Sequence, residues 1–234
     1  MIKTIQFLGI VWGLYALLPT IYYKYLRRMK RKDRSIRLTF DDGPDPQYTE
    51  MLLDLLKEHQ VKATFFVIAE KAQRHPDIIK QISAQGHEIG LHCNRHQRAL
   101  YRLPHQTIGD IKQGLYILEK QGISVRSYRP PHGYVNLAML RFLQKEGLQM
   151  ELWDILPRDW NGKSAQEILH AMEKKLHRGN VICLHDSGEG TGGEPSAPQN
   201  MIEALRLFIP MMKRKGFCFI AEPDDLMQET IGDL

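Results

Sequence analysis

Several stretches of this chain put acids, histidines or an arginine where strand-like runs end. The first is Thr39-Phe40-Asp41-Asp42-Gly43-Pro44. Two adjacent carboxylates at the end of an apolar run cannot both be neutral spectators: one faces a cation, or one pKa rises. Gly-Pro then turns the chain away and leaves the acids at the strand's C-terminal rim, although Asp-Asp-Gly-Pro alone also reads as a capped turn. His92 and His96 lie four residues apart. A helical turn would put both imidazoles on one face, and one carboxylate from elsewhere would complete the three protein ligands of a catalytic metal.

Further along comes Arg129-Pro130-Pro131-His132-Gly133. An arginine before a rigid turn can hold a carboxylate in place. Two prolines have no N–H, so His132 supplies the first backbone donor of the run. Trp153-Asp154 and Asp159-Trp160 follow, and His185-Asp186 closes the apolar run Val181-Ile182-Cys183-Leu184. Each signal is modest alone. Together they gather at one end of successive strands, where active sites of parallel β/α folds lie, whereas accidents would scatter over both ends.

The elements that must position these groups are short strands and amphipathic helices in alternation. Strand-like runs cover Ser35–Phe40, Ala63–Ile68, Glu88–Leu91, Ser127–Arg129, Gln149–Trp153, Asn180–Leu184 and Phe217–Ala221. Helical spacing of apolar residues covers Tyr48–Glu58, Asp77–Ala84, Thr107–Lys120, Leu137–Lys145, Ser164–Leu176 and Asn200–Lys213. Ser164 with Glu167 is a capping box, and Gly188–Pro198 reads as a loop. The pattern predicts an α/β fold with a parallel sheet and helical crossovers, in a closed barrel or an open sheet. No GxGxxG follows the first strand and no Walker loop occurs, so nucleotide-binding readings lose their main support.

At 234 residues, 43% hydrophobic and 25% charged, the chain reads as one ordinary folded domain. Its net charge of +5 is a property of the N-terminal tail: 8 of the 32 Lys/Arg and one of the 27 acids fall in residues 1–34. The remaining 24 cations and 26 acids leave no cationic excess for nucleic acid. Cys93, Cys183 and Cys218 are an odd set without a close pair, so no disulfide framework or CxxC zinc site follows.

Thr4–Tyr23 is an uncharged run of 20 residues. As a helix it would extend roughly 30 Å, about a bilayer core, with Pro19 placed to kink or end it. The alternatives are a buried core helix and a signal peptide, but no small-x-small cleavage site follows. Residues 1–34 are therefore expected to be a membrane anchor and basic juxtamembrane stem, ahead of a domain at 35–234. Lys24, Arg27, Arg28, Lys30, Arg31, Lys32 and Arg34 follow the run. They place this flank on the cytoplasmic side by the positive-inside rule and would hold it against anionic lipid.

In order and interval, Thr39–Pro44, His92-x-x-x-His96, Arg129–Gly133, Asp159-Trp160 and Leu184-His185 resemble the five motifs of the polysaccharide deacetylase family (NodB homology domain, carbohydrate esterase family 4), over about residues 35–225. The resemblance implies a distorted (β/α)7 barrel, here preceded by an N-terminal apolar helix, and metal-dependent hydrolysis of N- or O-acetyl groups on sugars. It implies a divalent ion at Asp42, His92 and His96, zinc by default, with cobalt, nickel or manganese open to the same donors. Asp41 would be the general base, positioned by Arg129, and His185 the general acid, tuned by Asp159. Trp160 and Leu184 would line the acetyl pocket, and the His132 N–H would help hold the oxyanion. Two departures stand out. Cys93 replaces the usual Ser or Thr and becomes a ligand if it faces inward; Leu156 stands where an Asp is common, with Asp154 a candidate substitute.

The implied substrates are an N-acetylated cell-envelope glycan or a membrane glycolipid. Anchored relatives mostly face outward, against the sense of the basic flank. A catalytically inactive sugar-binding module on the same fold, or a membrane scaffold, are the competing readings.

Overall fold

The structure is a computed structural model and describes residues 2–28, 35–97, 102–176, 180–190 and 192–221. It opens on a helix in two segments, α1 (Ile2–Trp12) and α2 (Leu18–Arg28), joined by a π-helical turn over Gly13–Leu17. Pro19 does not end it. Proline offers no N–H to the carbonyl four residues back and its ring crowds that carbonyl; the wide turn just ahead, where the Leu18 N–H reaches the Gly13 carbonyl, makes room for it. Gln6–Tyr25 is long and apolar enough to cross a membrane by length and composition. The basic residues Lys30, Arg31, Lys32 and Arg34 lie outside the described residues, as does the chain after Ala221.

Among the described residues seven strands follow: β1 (Ser35–Asp41), β2 (Thr64–Ile68), β3 (Glu88–Cys93), β4 (Ser127–Tyr128), β5 (Gln149–Met150), β6 (Val181–His185) and β7 (Cys218–Phe219). All pair in parallel, in the order β5-β4-β3-β2-β1-β6, with β7 beside the first residues of β1. No ladder joins β5 to β6 among the described residues. Just past β5, Ile155 bridges to Ile182, and the Cys183 N–H donates to the Ile155 carbonyl at 2.9 Å. The two edges of the sheet approach at this bridge and not along paired strands, so the barrel is incomplete there. One cause is visible in the sequence: β4 runs into Pro130-Pro131, which cannot donate to a ladder.

The helices α3 (Tyr48–Glu58), α4 (Ala69–Arg74), α5 (Pro76–Ala84), α6 (Pro104–Glu119), α7 (Leu137–Lys145), α8 (Ala165–Lys175) and α9 (Ala197–Arg214) pack outside the sheet. Helix α4 is additional to those expected from apolar spacing. Its six residues, AEKAQR, are too short to show a period. Helix α9 begins inside the stretch expected to be loop, with Pro198 in its first turn, where a missing N–H costs nothing.

Alternation along β1 sorts the interior. Ile36, Leu38 and Phe40 join the apolar shell with Leu52, Leu55 and Leu56 of α3. Each such side chain, fully buried, contributes about 1.5–3 kcal/mol. Arg37, Thr39 and Asp41 take the other face, where Arg37 meets Glu151 and Thr39 meets Arg129. The barrel interior is therefore a polar column that ends in Asp41 at the C-terminal rim.

Candidate active site

Asp42 is the first residue beyond β1, at φ 78°. Asp tolerates this left-handed region better than most residues, at a cost of about 1–3 kcal/mol. Lys71 of α4 pins the turn: its buried Nζ donates to the Asp42 carbonyl at 2.9 Å, to Ser187 Oγ at 2.8 Å and to the Glu189 carbonyl at 2.8 Å. Gly43 follows, and a Cβ there would lie 2.2 Å from Asp186 Oδ2, so only glycine fits. Asp186 Oδ2 accepts the Thr49 hydroxyl at 2.6 Å, and burial pushes its carboxyl up to about 7 against the pull of Thr49 and Lys71.

So held, Asp42 Oδ1 lies 3.4 Å from Nε2 of His92 and 3.4 Å from Nε2 of His96. The imidazoles do not share a helix face, as their spacing suggested. His92 is in β3, and the chain bends at Asn94 and Arg95 before His96. Asp110 of α6 fixes the bend by accepting the Asn94 N–H at 3.0 Å and the Arg95 N–H at 3.1 Å.

The orientation of His92 follows from its other nitrogen. Nδ1 lies 2.8 Å from the Arg129 carbonyl, which can only accept, so Nδ1 carries the proton and the lone pair of Nε2 is left facing the same space as Asp42 Oδ1, open to a cation. His96 is pushed down to about 4, by burial first, against the pull of Asp42, and so stays neutral near pH 7.

These three residues fit a divalent ion. Asp42 Oδ1 is buried with no hydrogen-bond partner among the described residues, and the Nε2 atoms of both imidazoles face it. Tetrahedral zinc, with bonds of about 2.0–2.1 Å, sets neighbouring ligands about 3.3 Å apart, close to the 3.4 Å seen here.

Asp41 lies opposite His185 in the β1–β6 register. Arg129, fully buried, donates from Nη1 to Asp41 Oδ1 at 2.8 Å and to Thr39 Oγ1 at 2.6 Å, with its guanidinium 4.0 Å from the centre of the Phe66 ring. It thus serves twice, through its side chain on Asp41 and its carbonyl on His92. Asp41 Oδ2 lies 3.3 Å from the Cys183 thiol, a weak donor kept protonated because burial pushes it well up.

Asp41, Cys183 and His185 form a second group with ligand-type atoms close together, but their chemistry differs. Asp41 is already neutralised by Arg129 and Cys183 keeps its proton. His185 Nδ1 lies 3.0 Å from Asp159 Oδ1, and Asp159 Oδ2 accepts the His185 N–H at 2.7 Å. Burial alone would push this imidazole down; the charge and hydrogen bond of Asp159, with Asp42 and Asp41, raise it to about 9. The second group can move protons; the first can hold a cation.

The Trp160 ring stands edge-on to His185, centroids 4.7 Å apart, and His132, at φ 57°, stands 4.8 Å from His96. Leu184 requires correction. It is fully buried in the apolar shell, because period-two alternation turns it away from the face shared by Cys183 and His185. Cys183 is the β6 side chain that reaches the acid. Cys93 is also buried and is not grouped with Asp42, His92 and His96; burial pushes its thiol well up. Asp154 does not replace the acid missing at Leu156. Its Oδ2 accepts the Asn180 and Val181 N–H groups at 3.1 and 3.0 Å, at the start of β6. Thr39, Lys71, Asp110 and Cys183 are the site's partners that motif reading missed.

Residues 28–150 match the family model described as polysaccharide deacetylase. A peptidoglycan-N-acetylglucosamine deacetylase of Bacillus cereus is 34% identical over 204 residues, 86% of this chain and 92% of its own length. The chain belongs to the polysaccharide deacetylase family. Among solved structures, a peptidoglycan N-acetylglucosamine deacetylase in complex with a naphthyl N-hydroxybenzamide is 33% identical, with a TM-score of 0.75 over 82% of this chain and 87% of that one. A family 4 acetyl xylan esterase from Clostridium thermocellum, in complex with a cobalt ion, is 27% identical, with a TM-score of 0.70 over 80% and 87%.

Proposed function

We propose that this family member is a metal-dependent deacetylase that removes acetyl groups from N-acetylglucosamine units of a cell-envelope glycan or membrane glycolipid. The observation that carries this reading is the buried, otherwise unbonded Asp42 Oδ1, equidistant from two imidazole nitrogens, one residue from an Arg-paired acid. Asp42, His92 and His96 hold the ion, zinc by default for this donor set, and when bound it supplies an acidified water and polarises the acetyl carbonyl.

The other residues manage position and protons. Arg129 occupies Asp41 Oδ1, leaving Oδ2 to take the proton of the attacking water. A sugar amine is a poor leaving group, and His185, held protonated by Asp159, donates to its nitrogen. Trp160 and His132 wall the sugar against His185 and His96. Similarity to a peptidoglycan-N-acetylglucosamine deacetylase and to an esterase in complex with cobalt supports the substrate class and the metal.

The apolar helix and the basic stem anchor the chain in a membrane rich in anionic lipid. An alkaline phosphatase fusion after Arg34 reads the side: activity places the domain outside, silence with an active cytosolic reporter places it inside. For the activity, the test is acetate released from N-acetylglucosamine oligomers. Release that stops with a chelator and returns with Zn2+ is expected; release indifferent to the chelator, or none from any N-acetylated glycan or lipid, contradicts the reading.

A further inference from the structure

The N-terminal helix is fastened to the wall of the site. Thr20 Oγ1 accepts the Val135 N–H at 2.9 Å and lies 3.0 Å from the Val135 carbonyl and 2.8 Å from the Ala16 carbonyl, so its single proton serves one of the two carbonyls at a time. Ala16 and Thr20 are buried in this contact, while Phe7, Leu8, Ile10, Leu14 and Ile21 are exposed. Val135 lies two residues past Gly133, in the segment that carries His132. From there a file of side chains leads back to the proposed metal ligands. Lys24 stands 5.6 Å from the Tyr134 ring centre, Tyr134 6.3 Å from His132, and His132 4.8 Å from His96.

We infer that this helix seats the mouth of the active site against an anionic bilayer, so that its substrate is a glycan lying on or linked to that same membrane surface. The inference rests on the deacetylase and anchor readings above and goes beyond them by stating which wall of the barrel meets the lipid. Exposure supports it. Phe7, Leu8, Ile10 and Leu14 are exposed ahead of the buried Ala16 and Thr20, so lipid that takes up this face reaches the domain where the helix meets Val135. Two further exposed leucines lie near that contact. Leu137 opens α7 two residues past Val135, and Leu103 precedes α6, whose Thr107 Oγ1 accepts from Asn136 Nδ2 at 3.1 Å. Charge supports it as well. Lys24 lies one helical turn past Thr20, against the Tyr134 ring, and the sequence that follows it is rich in Lys and Arg, a composition that anionic headgroups attract.

The test uses the full chain in vesicles of phosphatidylcholine and phosphatidylglycerol, with a nitroxide at Leu137→Cys or, as a control on α9, at Leu207→Cys, each in a Cys218→Ser background. The Leu137 label is expected to be relaxed by oxygen more than by a water-soluble nickel chelate, and the Leu207 label the reverse. Equal, water-like exposure of both overturns the inference. So does a chain that fails to float with the vesicles, which overturns the anchor reading too; acetate release from soluble oligomers judges the deacetylase reading separately. The kinetic arm compares Thr20→Val with the wild type on N-acetylglucosaminyl lipid in vesicles and on soluble N-acetylglucosamine oligomers. A several-fold loss on the lipid with an unchanged rate on the oligomers is expected; an equal loss on both overturns it.

Discussion

Two buried arginine–carboxylate pairs sit in one barrel interior, and they are built differently. At the N-terminal end, Arg37 bonds both oxygens of Glu151 and the Ala221 carbonyl, with Nη2 3.1 Å from Glu151 Oε2 and 3.0 Å from that carbonyl. Beside them Glu88, raised by burial and by Glu151, accepts the Thr64 and Ser127 hydroxyls. At the C-terminal end, Arg129 reaches Asp41 through one nitrogen, while its Nε and Nη2 have no hydrogen-bond partner among the described residues. A buried ion pair recovers its desolvation cost only when its remaining polar atoms are bonded. The Arg37 pair is closed in that sense and reads as a plug. The Arg129 pair leaves one oxygen of Asp41 to a weak thiol, an arrangement worse for stability and suited to proton transfer.

The largest expected effect breaks the open pair. Asp41→Asn should cost about 10²–10⁴-fold in turnover, the usual worth of a general base, while zinc still titrates to one ion per chain. A rate near wild type would remove Asp41 from that role. The closed pair should respond in the opposite sense. Glu151→Gln leaves Arg37 without its counter-charge and should cost about 3–5 kcal/mol in urea unfolding, with turnover per folded molecule unchanged; lost turnover in the folded variant would erase the contrast.

A smaller effect concerns the support of the Asp42 turn. Lys71→Met should weaken Zn2+ binding about 10–100-fold, as loss of a group holding a ligand usually does, read by calorimetry with the far-UV spectrum retained. Smallest at neutral pH is the titration of His185. With the imidazole raised to about 9, turnover should hold through neutrality and fall as pH rises through about 9. Asp159→Asn should bring that fall toward the ordinary histidine value of about 6.5. Stability linkage has the same sign. A raised folded-state pKa contributes stability fully present below the unfolded value and lost as pH rises through about 9. An alkaline limb that ignores Asp159→Asn would separate His185 from the leaving-group proton.

Local chemistry was legible in the sequence where a residue's neighbours in the chain are also its neighbours in space. Asp41-Asp42 at a strand end, Arg129 before two prolines and His185 after an apolar run all reach one rim. The alternation in Ser35-Ile36-Arg37-Leu38-Thr39-Phe40-Asp41 was visible too, but not that Arg37 and Thr39 would face inward, because their partners lie 114 and 90 residues away. Counting by two from His185 would have put Cys183 rather than Leu184 beside Asp41. Lys71 sits on a helix too short to show a period, and Asp110 works through the N–H groups of Asn94 and Arg95, an interaction with no spacing signature.

The account stands on Asp42, His92 and His96 gripping one divalent ion beside Asp41. X-ray absorption at the zinc edge, on the zinc-loaded full chain and on His92→Ala, reads the donors directly. Two imidazole nitrogens with oxygen at about 2.0–2.2 Å, lost in His92→Ala, are expected; a sulfur shell at about 2.3 Å, or a spectrum indifferent to His92→Ala, would contradict it.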